Sequence, residues 1–432
     1  MGKAKDIVMK SWASHKPVVV LVALAGVVAA AGAIAIYLER QPPEDVSNSD
    51  AEFVEGETQK PIVGVANWPT YGQNNARTRY LPTEDVAPPL KVKWRFNGRK
   101  LLEYSPILLG GTIFGINNNG QAFAVKTRRG KVRWRRQVAR LNASAPAFSN
   151  GSLFISNLEP GQVQSLRARD GKRWWVRDLP GRTESSPVVV DDLVIVGCEC
   201  GTLFAFDRVT GKTVWEADLG GEIKAAPAVS DGVAYVGDYG GNFSAVNVDD
   251  GSVKWTYSGA GDFYGTAAVA FGRVYVGSKD GAIYSFEKES GDLAWRHSIG
   301  GEVYAGAVAA DTPNSDPTVY FGVFGGSTFY ALDARTGDER WSADSGGSVI
   351  GAASLIGENV YVANLDTTET FAFDAATGDK VWSFRDGAYN PVISDGNLIY
   401  LTGKKQIYAL KPAPAGGGPT KKGKKKGGGK KK

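Results

Sequence analysis

From residue 91 to residue 412 the chain is a succession of short apolar runs divided by polar turns. In one unit Ser186-Pro187-Val188-Val189-Val190 is stopped by Asp191-Asp192, and Leu193-Val194-Ile195-Val196 follows. Thr202-Leu203-Phe204-Ala205-Phe206 comes third, and Lys212-Thr213-Val214-Trp215-Glu216 comes fourth, after Thr210-Gly211. Runs of this length, rich in β-branched and aromatic residues and bounded by Gly, Asp and Asn, predict a meander of four antiparallel strands. A helical pattern shows only near the N-terminus, where residues 17–38 are almost wholly apolar.

The four-run unit recurs. Trp94, Trp134, Trp175, Trp215, Trp255, Trp295, Trp341 and Trp382 mark it, at separations of 40, 41, 40, 40, 40, 46 and 41 residues. A fixed period in this range means that no unit buries its own apolar face and that neighbours complete each other's core. Four-stranded sheets at this period are the blades of a β-propeller. The predicted fold is all-β: an eight-bladed β-propeller of four-stranded antiparallel blades over residues 66–412, preceded by one transmembrane helix. Seven blades carry a turn glycine four residues before their tryptophan, as in Asp207-Arg208-Val209-Thr210-Gly211 and Asp333-Ala334-Arg335-Thr336-Gly337. The glycine supplies the positive φ of a tight turn, and a tryptophan present in every blade is expected to pack between blades. The eighth blade is split. Runs at Asn390-Pro391-Val392-Ile393, Leu398-Ile399-Tyr400-Leu401 and Gln406-Ile407-Tyr408-Ala409-Leu410 supply three strands, and Lys91-Val92-Lys93-Trp94-Arg95-Phe96 supplies the fourth. Such pairing closes the ring and protects the sheet edges.

The ends change the picture more than the overall composition does. Residues 17–38 carry no charge, and twenty-two helical residues reach roughly 33 Å, enough for a bilayer core. Lys3, Lys5, Lys10 and Lys16 precede this segment. The bias sets residues 1–16 in the cytoplasm, 17–38 as a transmembrane signal anchor, and the propeller outside the cell membrane as part of a single-pass protein. A cleavable signal peptide, which would leave the propeller secreted, is the rival, and the length of the apolar run favours the anchor. The polar, acidic stretch 39–65 reads as a flexible linker. Residues 413–432 form a Gly/Lys-rich tail whose last twelve positions hold eight lysines. The formal charge of +5 belongs to that tail, and without its eight lysines the remainder stands at −3, near neutral. The tail is a candidate for binding an anionic polymer or lipid headgroups. The topology excludes cytoplasmic nucleic acid as a partner, and a cytoplasmic segment of sixteen residues is too short for a sensor's catalytic output domain.

Catalytic material is thin. The two histidines are His15, ahead of the apolar segment, and His297, in the last strand of a blade. Neither has the companions that a zinc site or a Ser/His/Asp triad requires. No metal ligand and no catalytic residue is assigned. Cys198 and Cys200 lie in Gly197-Cys198-Glu199-Cys200-Gly201, at the turn between second and third strands. Whether they bridge to each other, bridge between chains or stay thiols is left open by the sequence, and they are the candidate redox or disulfide pair. The strongest functional pointer is positional. In a meander blade, the loop after the fourth strand and the turn between the second and third strands share one face of the disc, and blade-to-blade variation there is where function sits. Aligning the repeats just before each first strand brings up Glu103, Glu184, Lys224, Tyr264 and Tyr304, with Asn142, Arg182 and Tyr389 close by, as a ring around a funnel that binds a polar ligand or partner. Phe263 is expected to join the exposed aromatics of that rim.

The repeat as it stands in Phe329-Tyr330-Ala331-Leu332-Asp333-Ala334-Arg335-Thr336-Gly337-Asp338-Glu339-Arg340-Trp341 resembles the pyrroloquinoline quinone (PQQ)-like repeat family of eight-bladed propellers. The entry segment Trp68-Pro69-Thr70-Tyr71-Gly72-Gln73-Asn74-Asn75-Ala76-Arg77-Thr78 also resembles the one that precedes the first blade in that family. The resemblance implies one of two roles. Quinoprotein dehydrogenases hold PQQ and calcium at the funnel centre under a disulfide between adjacent cysteines. Here Glu199 separates the cysteines, the long blade insertions are missing, and no calcium motif matches residue by residue. On that alternative Glu103, Glu184 and Asp262 are the carboxylates to inspect. The other branch, similar to the propeller lipoprotein of outer-membrane protein assembly, is a non-enzymatic scaffold with a protein partner in the cell envelope. Size and blade regularity favour it, although a membrane anchor stands in place of the lipoprotein cysteine.

Overall fold

The computed structural model describes residues 44–56, 65–389 and 392–414. The expected cytoplasmic segment and membrane anchor, and all but the start of the lysine-rich tail, lie outside them. Among the described residues no helix is long and apolar enough to cross a membrane.

Eight blades of four antiparallel strands form the propeller, and two of them gain a fifth strand, Val46–Ser47 on blade 5 and Tyr80–Leu81, which runs parallel, on blade 7. Blade 1 runs through Ile107–Leu109, Thr112–Ile116, Gln121–Lys126 and Lys131–Gln137. Blades 2 to 7 repeat the order, and blade 7 ends with Lys380–Phe384. Blade 8 is the split one: Leu90–Asn97 pairs antiparallel with Gln406–Pro412, with Trp94 opposite Ala409. The innermost strands are short and apolar, such as Val188–Val190 and Ala228–Ser230, because they crowd the axis. The outermost strands alternate buried and exposed residues, because one end of each sheet reaches solvent.

The marker tryptophans lie in the seams, as expected. The Trp215 indole N–H donates to the Val248 carbonyl of the next blade at 2.7 Å, and the Trp134, Trp175, Trp255, Trp295 and Trp341 indoles do the same one blade further along each time. Trp94 of blade 8 reaches the Thr127 carbonyl of blade 1. Each ring lies flat under the turn glycine of that next blade. A Cβ on Gly251 would come 2.7 Å from the Trp215 ring, and the residue's φ is +76°, so shape and backbone both call for glycine. Seven seams share this joint. The seam from blade 7 to blade 8 lacks it, because the third and fourth strands of blade 8 come from opposite ends of the chain and no turn joins them. There Trp382 stacks on Phe384, which meets Tyr408 edge-on.

The entry segment closes the axis from within. Residues 66–79 make a circuit of the innermost strands, hydrogen-bonding in turn to Asp395 of blade 8, Leu108 of blade 1, Phe148 of blade 2, Val189 of blade 3, Val229 of blade 4, Val269 of blade 5, Ala309 of blade 6 and Leu355 of blade 7. Arg77 sits fully buried at its centre. Its guanidinium donates to the carbonyls of Pro227, Pro187 and Tyr71 and to the Thr70 hydroxyl, with no carboxylate among those partners. Burial pushes its pKa down to about 9.

One stretch differs from expectation. Part of the supposed linker, residues 44–56, lies along the rim of blade 5. Val46–Ser47 adds a fifth strand beside Leu293–Ser298. Asp45 pairs with the buried Arg296 at 3.2 Å, Phe53 stacks on Phe271, and the Arg273 guanidinium donates to the carbonyls of Glu52 and Ala51. Composition pointed to a free connector. The stretch is held instead by partners more than two hundred residues away, which a local reading does not see.

Candidate functional site

A blind pocket opens on the axis, floored by Tyr71 of the entry segment. Its walls are supplied by loops that run from the outermost strand of one blade to the innermost strand of the next. Six of the eight expected funnel residues line it: Glu103, Glu184, Lys224, Tyr264, Tyr304 and Tyr389. Their convergence follows from one register. Along each loop the residues alternate, and the position one before Glu103, Glu184, Lys224, Tyr264 and Tyr304 points back into the blades. That inward set is Leu102, Thr183, Ile223, Phe263 and Val303, all buried.

The same register corrects two expectations. Asn142 is on the inward set: it is buried, and its amide donates to the Ser156 carbonyl at 2.7 Å. Phe263 is fully buried in the core between blades 4 and 5 and is no rim aromatic. Arg182 lies on the exposed rim, paired with Glu199 at 2.9 Å, outside the pocket lining. Asp262 pairs with Lys279 at 2.8 Å and likewise stays outside. Sequence reasoning missed Tyr71 and Tyr104, whose rings meet at 5.7 Å, and Ile350, which is the blade 7 residue in the same register as Tyr264. The alternation would have found Ile350. Nothing local would have found Tyr71.

The pocket is polar and aromatic, with the two carboxyls on one side. Burial, with each other's proximity adding for Glu103, raises the pKa of Glu103 and Glu184 above the ordinary carboxylate value. Lys224 opposes the shift at Glu184 from 4.0 Å, and the Tyr264 hydroxyl donates to Glu184 at 3.3 Å. Tyr264 and Tyr304 on the other wall are the middle of an edge-to-face chain that runs from Tyr239 to Phe324, with Lys224 and Lys279 over the Tyr239 ring. Under the floor, the buried Arg79 guanidinium lies 4.2 Å from the Tyr71 ring, and its Nε and Nη2 have no hydrogen-bond partner among the described residues. His297 is in the outer strand Leu293–Ser298, opposite Ile283 and far from the pocket lining.

Cys198 and Cys200 bridge to each other. The Cys198 sulfur is buried against blade 2 and the Cys200 N–H donates to it. The bridge shapes the turn that carries Glu199, the partner of Arg182 on the same face as the pocket mouth.

A closed eight-bladed ring with a blind axial pocket defines the class: a propeller of PQQ-like repeats. The chain belongs to the family described as outer membrane protein assembly factor BamB, whose model matches residues 91–217 and 200–415. Among its relatives, the outer membrane protein assembly factor BamB of Shewanella oneidensis is 29% identical over 108 residues, 25% of this chain and 27% of that protein. A 1-butanol dehydrogenase (cytochrome c) of Thauera butanivorans is 29% identical over 153 residues, 30% of this chain and 22% of that protein. The chain thus spans about a quarter of the length of these two curated relatives. Among solved structures, BamB from Moraxella catarrhalis superposes with a TM-score of 0.63 at 18% identity, covering 75% of this chain and 98% of that one. A quinohemoprotein alcohol dehydrogenase from Pseudomonas putida does so at 0.68 and 15% identity, covering 80% of each chain. These superpositions establish the fold alone.

Proposed function

We propose that this chain is a membrane-anchored, extracytoplasmic propeller that acts as a non-enzymatic binding and scaffold module in envelope protein assembly. The observation that carries the reading is the axial mouth. It presents one side chain from almost every blade over a floor made by Tyr71, and neither histidine nor cysteine is among them. An aromatic wall beside paired acids and a lysine recognises a polar segment of a protein partner by shape, stacking and hydrogen bonds. The family match to an assembly factor supports the same role. The test places a photo-crosslinking residue at Tyr264 or Tyr304 in cells and, as control, at the exposed outer-strand position Val253. The reading expects one discrete adduct from both pocket positions, absent from the control and lost on Lys224→Glu. Adducts indistinguishable from the control overturn it.

The second reading, a PQQ- and calcium-dependent dehydrogenase, is favoured by the dehydrogenase relatives and by the two carboxyls at the pocket. The residues do not fit that group. The free volume inside the pocket is about 60 Å³, space for a few waters. Glu184 already faces a lysine and a phenol, and no cluster of three or more His, Cys, Asp or Glu converges among the described residues. Calcium takes six to eight oxygens. Titration of the full chain with PQQ, with and without calcium, separates the readings. A calcium-dependent rise in melting temperature favours the enzyme.

A further inference from the structure

The near-neutral body hides a division. Residues 91–182 hold nineteen Lys and Arg against four Asp and Glu, a formal +15, whereas residues 183–412 hold fifteen against thirty-one, a formal −16. The basic stretch is the outer strand of blade 8 and all of blades 1 and 2, consecutive blades that make up more than a third of the rim. Its charges gather on the outermost strands Leu90–Asn97, Lys131–Gln137 and Arg173–Asp178 and on the turns leading into them. Lys91, Lys93, Arg95, Lys131, Arg133, Arg136 and Arg173 are all exposed there. Of the nineteen basic residues, only Arg140, Arg167 and Arg182 stand in ion pairs among the described residues. Self-repulsion of this density is a cost to the fold, and an anionic partner relieves it.

Between blades 2 and 3 the band ends in a groove of about 730 Å³ whose lining includes Trp174, Arg167, Arg169, Asn150, Arg208 and Val209. Trp174 is 58% exposed and Val209 67% exposed, whereas the seam tryptophan beside it, Trp175, is buried. The Arg167 guanidinium lies 5.4 Å from the Trp174 ring centre and is held there by Asp170. An exposed indole beside Arg169, which stands in no ion pair among the described residues, has no part in the seams. We propose that this basic rim is a docking band for a linear acidic glycan, with carboxylates on the arginine forks and a sugar face stacked on Trp174. Thirteen of the nineteen cations are arginine, the side chain whose planar fork matches a carboxylate in bidentate fashion. A convex rim three blades long curves away from a flat bilayer, but a flexible chain follows it. Single-stranded nucleic acid needs a platform for successive bases. Here one indole is fully exposed, since Trp134, Trp175 and Phe96 are buried and Trp94 is half-buried beside the Tyr400 ring.

The test is binding of a fluorescent oligogalacturonate to the full chain in detergent micelles, at low and moderate salt. The triple reversal Arg133→Glu, Arg136→Glu and Arg173→Glu leaves the lysine tail intact, so its effect reads the band alone. A loss of about tenfold or more is expected from it. Trp174→Ala keeps every charge and is expected to weaken binding about fivefold, with an unchanged melting temperature confirming the fold. Binding by both variants equal to that of the unaltered chain assigns the glycan to the tail and overturns the proposal. So does Trp174-dependent binding that is tighter to an oligothymidylate, or to phosphatidylglycerol vesicles, than to the glycan.

Discussion

The seams and the axial mouth are both built from the repeated blade, yet they treat repetition in opposite ways. At seven seams one joint recurs: an indole donating to a carbonyl of the next blade, with the turn glycine of that blade over the ring. At the mouth the equivalent positions hold Glu103, Glu184, Lys224, Tyr264, Tyr304 and Ile350. A residue repeated in every blade answers a need that every blade has, namely burying its face against the next. A position released from repetition has no such duty, and its side chains are set by what they meet in the pocket. The seams therefore predict stability, and the mouth is where the proposed recognition would take place.

That division breaks if a seam substitution is cheap or a mouth substitution is costly. Trp215→Ala removes a buried indole and its 2.7 Å hydrogen bond and is expected to cost about 4 kcal/mol in urea unfolding. Trp382, half-buried at the one seam without a glycine joint, sharpens the contrast: Trp382→Ala is expected to cost about 2 kcal/mol, roughly half as much. A larger loss there than at Trp215 would mean that the closure seam, and not the repeated joint, limits stability. Gly251→Ala places a Cβ 2.7 Å from the Trp215 ring at positive φ. Its expected cost is about 1–2 kcal/mol, much of it relieved in the Trp215→Ala background because the ring is gone.

Much of the seam belt was legible in the chain. The forty-residue period, the turn glycines and the unpaired first and last runs were enough to count eight blades and to close them. The mouth was legible by position, and six of eight residues fell where expected. Asn142 and the buried Phe263 share one cause, since an alignment off by one residue is not enough when successive side chains face opposite ways; Arg182, two positions before Glu184, is held on the rim by Glu199 instead. Contacts remote in sequence were not legible. Asp45 against Arg296 and Tyr71 against Tyr104 exist only because the ring brings blades 5 and 1 to those segments. The charge division was missed for another reason. Summing over the body cancels +15 against −16, and a sum over separate blades would have shown it.

The smallest expected effect is at the mouth and is seen in its pH dependence. Burial raises the pKa of Glu184 above 4.5, so the folded protein keeps a proton that the unfolded chain has released. Stability from this group is fully present below the unfolded value and is lost as pH climbs through the folded one. Glu184→Gln has no proton to lose. It is expected to match the unaltered chain at pH 4 and to be equally or slightly more stable at pH 7, with the difference growing as pH rises. Lys224 at 4.0 Å and the Tyr264 hydroxyl work the other way, favouring the anion. Melting temperatures of both proteins across that range decide which influence prevails. A variant that loses stability as pH rises would show that the anion is held by its partners and that Glu184 belongs with the structural residues rather than with the recognising ones.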